Sequence, residues 1–167
     1  MEKSIFIVLA KNNKKSHMEM CNIISKLSKV EWIKKFDGHY RSIYELCSHS
    51  FSDNYFWLNK FRALGNKDSL EKYFQKDQPN CDFVDIRDYI EMQSKMDDLI
   101  IEFIEDLTED DLNSILKINA GEENYEFRFY LTLLHILTHS THCRGMISLY
   151  LEMLGKENDY NGIDISA

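Results

Sequence analysis

The stretch Phe129–Leu154, FYLTLLHILTHSTHCRGMISLYLEML, carries the pattern that decides the fold. Its apolar residues cover most of the circumference of a helix, so we expect it to be the most buried element. His135, His139 and His142 fall within eight residues of this stretch, and Cys143 follows directly. Positions i, i+4 and i+7 of a helix share a face, so the three imidazoles line one stripe. The stretch therefore predicts both a central helix and a candidate site.

Three further segments have the apolar spacing of amphipathic helices. They span residues 4–27, 42–65 and 85–107, and the second opens with Ser42-x-x-Glu45, the pattern of a capping box. The centre of the first segment is polar, which makes its helical pattern weakest there. Four long segments with short links predict an all-α four-helix bundle that forms a single domain over residues 1–155. Residues 156–167 are expected to form a polar tail.

Smaller elements are expected between the long segments. The S-x-x-E motif at residues 28–31 and the T-x-x-D motif at residues 108–111 predict short capped helical turns. Apolar residues alternate on both sides of residues 119–124, which predicts a short β-hairpin before the last helix. Residues 66–84 are expected to be a loop, with one helical turn at residues 69–74.

Composition excludes several classes of protein. Glycine and proline together number seven of 167 residues, about 4% against roughly 12% on average, which disfavours a turn-rich all-β fold. The net charge of −8 disfavours binding to nucleic-acid phosphates. No apolar run approaches the roughly 18–20 residues of a membrane span, and neither a signal-peptide core nor its cleavage site is present. We therefore expect a soluble, cytoplasmic protein, with no membrane partner and with its four cysteines reduced.

The histidine spacing is compatible with a metal site. Two imidazoles four residues apart on one helix can hold one ion, but zinc takes at least three protein ligands. His49, in the middle of the second segment, is the candidate on a facing helix. Asp53, one turn later, is a candidate ligand or a hydrogen-bond acceptor for a ligand. Spacing alone leaves a histidine hydrogen-bond network or an oligomer interface equally open. His17 and His39 lie in no motif.

Residues 135–147 resemble the signature helix of the DinB-like (DinB/YfiT) superfamily, which reads roughly H-x-x-N-H-x-x-H-H-R-G-Q. The stretch from Ser42 to His49, with its aromatic continuation at residues 56–58, is similar to the second helix of that family. The resemblance covers nearly the whole chain. It implies an up-down-down-up four-helix bundle, often a homodimer, that holds a divalent ion, commonly zinc, nickel or iron. One ligand comes from the second long helix and two come from the fourth.

Carried over position by position, the implied ligands are His49, His139 and Cys143. The cysteine is a departure, because the family has histidine there, and Thr138 and Met146 also differ from the signature. Three alternatives follow. Cys143 replaces the imidazole, which favours zinc; or His135 or His142 completes the site in a changed register; or the metal is lost.

The resemblance also implies a function. Characterised relatives include thiol-dependent transferases and isomerases, in which the metal holds a low-molecular-weight thiol as its thiolate. Without such a thiol, a metal-bound water would attack an ester or amide of a small-molecule substrate. Arg144 is expected either to bind an anionic group of a cofactor or substrate or to pair with a carboxylate across the bundle. The competing hypothesis is a non-catalytic dimer, stress-related or structural, with a degenerate or absent metal site.

Overall fold

The computed structural model describes residues 2–64, 81–120 and 123–160. In chain order, the elements of these ranges are α1 (Lys3–Ile24), α2 (Lys29–Trp32), α3 (Ile43–Lys60), a 3₁₀ helix (Phe61–Leu64), α4 (Ile86–Asp106), α5 (Glu109–Leu112), β1 (Ile115–Ala120), β2 (Glu123–Arg128) and α6 (Phe129–Met153). The four long helices α1, α3, α4 and α6 match the four predicted segments.

Contacts from α1 fix its direction relative to α4. Lys3 Nζ, at the start of α1, donates to Leu107 O just beyond the end of α4. Further along α1, His17 Nδ1 lies 2.8 Å from Asp97 Oδ1, in the middle of α4. Later residues of α1 therefore lie beside earlier residues of α4, so the two helices are antiparallel.

Contacts with α6 complete the topology. Asn13 Nδ2 of α1 donates to Leu137 O. The guanidinium of Arg144, two turns further along α6, reaches His17, one turn further along α1, so α1 and α6 are parallel. The antiparallel partner of α6 is α3, since the rings of Phe61 and Phe129 pack at the end of one helix and the start of the other. Because α3 and α4 each run opposite to α1, the predicted up-down-down-up bundle is confirmed.

All three predicted helix starts are confirmed, and the capping box is complete at two of them. Ser28 and Glu31 form a complete capping box, as do Thr108 and Asp111. The box predicted at Ser42 is only half formed. Its hydroxyl accepts from the N–H of Glu45, but the Glu45 carboxylate accepts from the N–H of Arg41 instead of Ser42.

The hairpin is confirmed. Strands β1 and β2 are antiparallel, with Leu116 opposite Phe127 and Ile118 opposite Tyr125. Leu116 is fully buried, and Phe127 contacts the ring of Trp57 on α3. The hairpin therefore closes the end of the bundle where α3 ends and α6 begins.

The chain after α6 folds back on that helix as far as it is described. Asn158 bonds to Ser148, and Tyr160 is buried and donates its hydroxyl proton to Arg144 O. These residues belong to the predicted polar tail, whose remainder, 161–167, lies outside the described residues. The helical turn predicted at residues 69–74 lies outside them as well. No helix within the described ranges has the length and apolar character that crossing a membrane requires.

Candidate metal centre

Three donor side chains converge between α3 and α6. His49 lies in the second turn of α3, while His139 and Cys143 lie one turn apart on α6. His49 Nε2 is 3.3 Å from His139 Nε2, and Cys143 Sγ is 3.8 Å from the same nitrogen. The three donor atoms all lie within 4.8 Å of one another. The structure thus brings together the three residues that the family resemblance implies as ligands.

Two of the three donor separations are close to those of tetrahedral coordination. With Zn–N bonds of about 2.0–2.1 Å and Zn–S bonds of about 2.3 Å, tetrahedral angles place two nitrogens about 3.3 Å apart and a nitrogen and a sulfur about 3.6 Å apart. The pair formed by His49 and His139 meets the first value, and Cys143 is 3.8 Å from the shared nitrogen. Cys143 Sγ is also 3.8 Å from His139 Nδ1, so the sulfur lies beside the ring, and binding of an ion would require the sulfur or the ring to turn.

A carboxylate lies behind His139. Asp53 Oδ2 is 3.4 Å from His139 Nδ1, on the opposite side of the ring from the nitrogen that faces His49. This oxygen is buried and makes no hydrogen bond within residues 2–64, 81–120 and 123–160. A carboxylate beside the far nitrogen of a metal-binding imidazole fixes its tautomer and orientation. Asp53 thus has the placement of an acceptor for His139, one of the two roles that the sequence left open.

Comparison with known proteins identifies the family. The DinB family model matches residues 1–160. This chain belongs to the DinB family. Among solved structures, a DinB-like protein (YjoA) from Bacillus subtilis is similar, with a TM-score of 0.58 and 16% sequence identity over 90% of this chain and 94% of its own. At that identity the likeness supports a common fold and nothing further. No curated protein matches the chain.

Tyr40 is a residue of this DinB site that the sequence did not reveal. Its ring stacks on that of His49, with centroids 4.2 Å apart and planes 20° apart. The carbonyl of Tyr40 accepts a hydrogen bond from the hydroxyl of Tyr150 on α6. Gly38 allows this approach, because its φ of +147° favours glycine and an added Cβ would lie 2.9 Å from that hydroxyl. The loop before α3 therefore forms one wall of the site.

Burial sets the protonation of the donor atoms. It lowers the pKa of both His49 and His139 below the usual range, although nearby Asp53 opposes the shift. Burial also raises the pKa of Cys143 to about 11, against a hydrogen bond to Ser50 that lowers it. Without an ion, both imidazoles are therefore neutral with lone pairs available, and the thiol keeps its proton. A divalent cation reverses the balance for the thiol, because a coordinated thiol is deprotonated.

The two alternative ligands lie at the edge of the cluster. His135 is 49% exposed, and its Nε2 is 3.8 Å from Asp53 Oδ2. His142 is exposed, with its ring centroid 6.3 Å from that of His139. Among the described residues, neither has a donor atom in the cluster that His49, His139 and Cys143 form. Their roles as alternative ligands stay predictions.

Arg144 points away from the cluster. It is 1% exposed, and its guanidinium donates to Asn13 Oδ1 at 2.7 Å and to His17 Nε2 at 3.0 Å. His17 in turn contacts Asp97, so Arg144 reaches a carboxylate across the bundle through an imidazole. Its predicted contact with a cofactor stays a prediction.

Proposed function

We propose that this DinB protein is a metal-dependent enzyme that uses a low-molecular-weight thiol, as a transferase or isomerase acting on a small molecule. His49, His139 and Cys143 would hold the ion, with zinc preferred over nickel or iron because one donor is a thiolate. The observation that carries the proposal is the convergence of these three donors within 4.8 Å of one another, with Asp53 placed behind His139.

Three protein ligands leave one coordination position open. A bound divalent ion would supply Lewis-acid stabilisation of a thiolate in that position. The negative charge of Cys143 lowers the net charge of the site by one unit relative to three histidines. A less positive site lowers the pKa of a bound group by a smaller amount. A thiol, with an ordinary pKa of about 8.5, needs less lowering to ionise near neutral pH than water, with a pKa of about 15.7. The donor set thus supports thiol activation over hydrolysis, which is the second candidate.

The remaining side chains have roles of their own. Asp53 would orient His139 through its Nδ1 hydrogen, and the Tyr40 ring would hold His49 in place. A thiol that enters the site must lose a proton, and His135 Nε2 is the candidate acceptor. It is half exposed and lies 3.8 Å from the Asp53 carboxylate.

Cellular context and assembly are part of the proposal. All four cysteines lie in described ranges and none forms a disulfide, which supports a reducing, cytoplasmic location. Exposed apolar side chains on α6, Leu149 and Met153 among them, support a homodimer. Light scattering after size exclusion measures the mass, and a mass near 20 kDa would contradict the dimer.

Metal analysis tests the ligand set. Elemental mass spectrometry of the protein produced with zinc, nickel and iron is expected to find one ion per chain, mainly zinc. Cys143→Ser and His139→Ala should lose it, whereas His142→Ala, an exposed neighbour on the same helix, should keep it. A wild-type protein without metal would instead favour the non-catalytic dimer, and loss restricted to His135→Ala and His139→Ala would favour the changed register.

Thiol binding tests the reaction class. Cobalt-substituted protein is titrated with bacillithiol, mycothiol and glutathione, and we expect at least one to increase the sulfur-to-cobalt absorption to saturation. Esters and amides tested without a thiol should not be turned over. Ester or amide hydrolysis without any such increase would support the hydrolase instead.

A further inference from the structure

A groove of about 300 Å³ lies between α1 and α4 and shares no residue with the metal cluster. Its apolar walls include Met18, Cys21 and Ile90, and its polar floor consists of His17, Gln93 and Asp97. These three polar side chains are between 0% and 5% exposed. Polar side chains buried this deeply beneath an apolar groove are typical of small-molecule sites, where a few polar atoms orient the ligand.

Arg144 determines which atoms of the floor donate and which accept hydrogen bonds. Arg144 can only donate, so His17 Nε2 accepts at 3.0 Å and the imidazole proton resides on Nδ1. That proton is donated to Asp97 Oδ1 at 2.8 Å, and Gln93 Nε2 donates to the same oxygen at 3.0 Å. Reversing the Gln93 amide would place its oxygen against the carboxylate, so the orientation of the amide is determined.

One acceptor is left over by this arrangement. Gln93 Oε1 is buried and has no hydrogen-bond partner in the part of the chain that the structure describes. Buried acceptors without partners are rare because each loses its hydration without compensation. Gln93 lines the groove but is 0% exposed, so a ligand that brings an N–H or O–H donor reaches this oxygen when the side chains of the floor move apart, and its hydrogen bond then compensates the loss.

Charge around the groove selects an uncharged ligand. The negative Asp97 is offset by the positive Arg144 on the far side of His17. Burial raises the pKa of Cys21 to about 12, so its thiol is neutral. The rim residues Asn22 and Ser94 carry no charge.

We propose that the groove between α1 and α4 binds an uncharged small molecule with an apolar body and one N–H or O–H donor, which Gln93 Oε1 accepts. Its volume lies at the lower end of the range for ligand sites, roughly 300–1,000 Å³, which suits a one- or two-ring molecule. The site is separate from the metal centre, so either can be disproved without the other.

Indole and benzofuran form a matched pair of probes, since they share a shape and differ in the N–H donor. Methionine methyl NMR follows Met18 in the groove and Met153 on α6 as the internal control. We expect indole to shift the Met18 methyl signal to saturation without moving that of Met153, and to bind at least tenfold more tightly than benzofuran. Absence of saturable Met18 shifts, or equal affinity for the two probes, would overturn the proposal.

Two variants localise the interaction. Ser94→Trp fills the mouth of the groove and should weaken indole binding at least tenfold, whereas Ser94→Ala should leave it unchanged. Gln93→Met keeps the length of the side chain but removes the acceptor, so indole and benzofuran should then bind equally. If circular dichroism shows that Gln93→Met does not fold, the comparison of Ser94→Trp with Ser94→Ala tests whether indole binds in the groove. Unchanged indole affinity in Ser94→Trp would refute the assignment.

Discussion

Asp97→Asn tests the buried polar network that joins α1, α4 and α6. The Asp97 side chain is 5% exposed and accepts hydrogen bonds from His17 and Gln93. Asparagine keeps the shape and one acceptor oxygen but removes the charge. The substitution therefore isolates the electrostatic contribution of the carboxylate, which offsets the buried guanidinium of Arg144.

The expected loss follows from the two hydrogen bonds. A bond to a charged group contributes about 1.5–3 kcal/mol and a neutral bond about 0.5–1.5 kcal/mol. Removing the charge thus costs about 1–1.5 kcal/mol for each bond, or about 2–3 kcal/mol in the free energy of unfolding. Arg144 also loses its counter-charge, which adds to the loss. For a chain of this size, that corresponds to a fall in Tm of about 4–12 °C.

Asp98→Asn is the matched control. Its carboxylate pairs with Lys14 on the surface and is 52% exposed, so its removal should cost no more than about 1 kcal/mol. Urea and thermal unfolding of both variants, with a chelator present to remove any ion, gives the comparison. If the two variants lose the same stability within about 0.5 kcal/mol, the network does not contribute as reasoned.

The remaining predictions concern the site and the loop that bounds it. Asp53→Asn should weaken zinc binding about 10- to 100-fold, because His139 loses a charged acceptor; competition with a chromophoric chelator measures this, and an affinity equal to that of His142→Ala would contradict it. Gly38→Ala should lower the free energy of unfolding by about 1–3 kcal/mol, since alanine is strained at this φ and its Cβ meets Tyr150; denaturation midpoints equal to wild type would refute the strain. In chelator-treated protein at pH 8, Ellman's reagent should react quickly with one thiol, Cys81, because the other three cysteines are buried and burial raises the pKa of each; two fast thiols would contradict that.

Much of the fold could be predicted because local patterns carry it. The apolar spacing of the four long segments indicated their helices, and alternation around residues 119–124 indicated the hairpin. Spacing does not specify how helices are arranged, so the up-down-down-up order depended on the family resemblance. The half-formed box at Ser42 shows the limit of a motif, since Glu45 takes the N–H of Arg41 instead.

The candidate site was only partly accessible to sequence reasoning. His139 and Cys143 share a helix, so their proximity follows from the helical repeat, and His49 joins them because α3 packs against α6. Tyr40 was missed because it lies in a loop and reaches His49 through a close approach at Gly38. No spacing rule covers such a contact.

The polar centre of the first segment has a related explanation. Asn13, Ser16 and His17 weakened its helical pattern, yet all three are buried. Asn13 and His17 bond to Arg144, and His17 also contacts Asp97. Polar residues at core positions resemble a solvated stretch when their partners lie on other helices, so the signal for this network could not be recognised from one segment alone.

X-ray absorption at the zinc edge tests the assignment of the metal ligands most directly. If His49, His139 and Cys143 hold the ion, the spectrum of zinc-loaded protein contains one sulfur at about 2.3 Å and nitrogen or oxygen ligands at about 2.0–2.1 Å. In Cys143→Ser both the bound zinc and the sulfur contribution are lost, whereas both persist in His142→Ala. A wild-type spectrum without sulfur, or with sulfur that survives Cys143→Ser, would contradict the assignment.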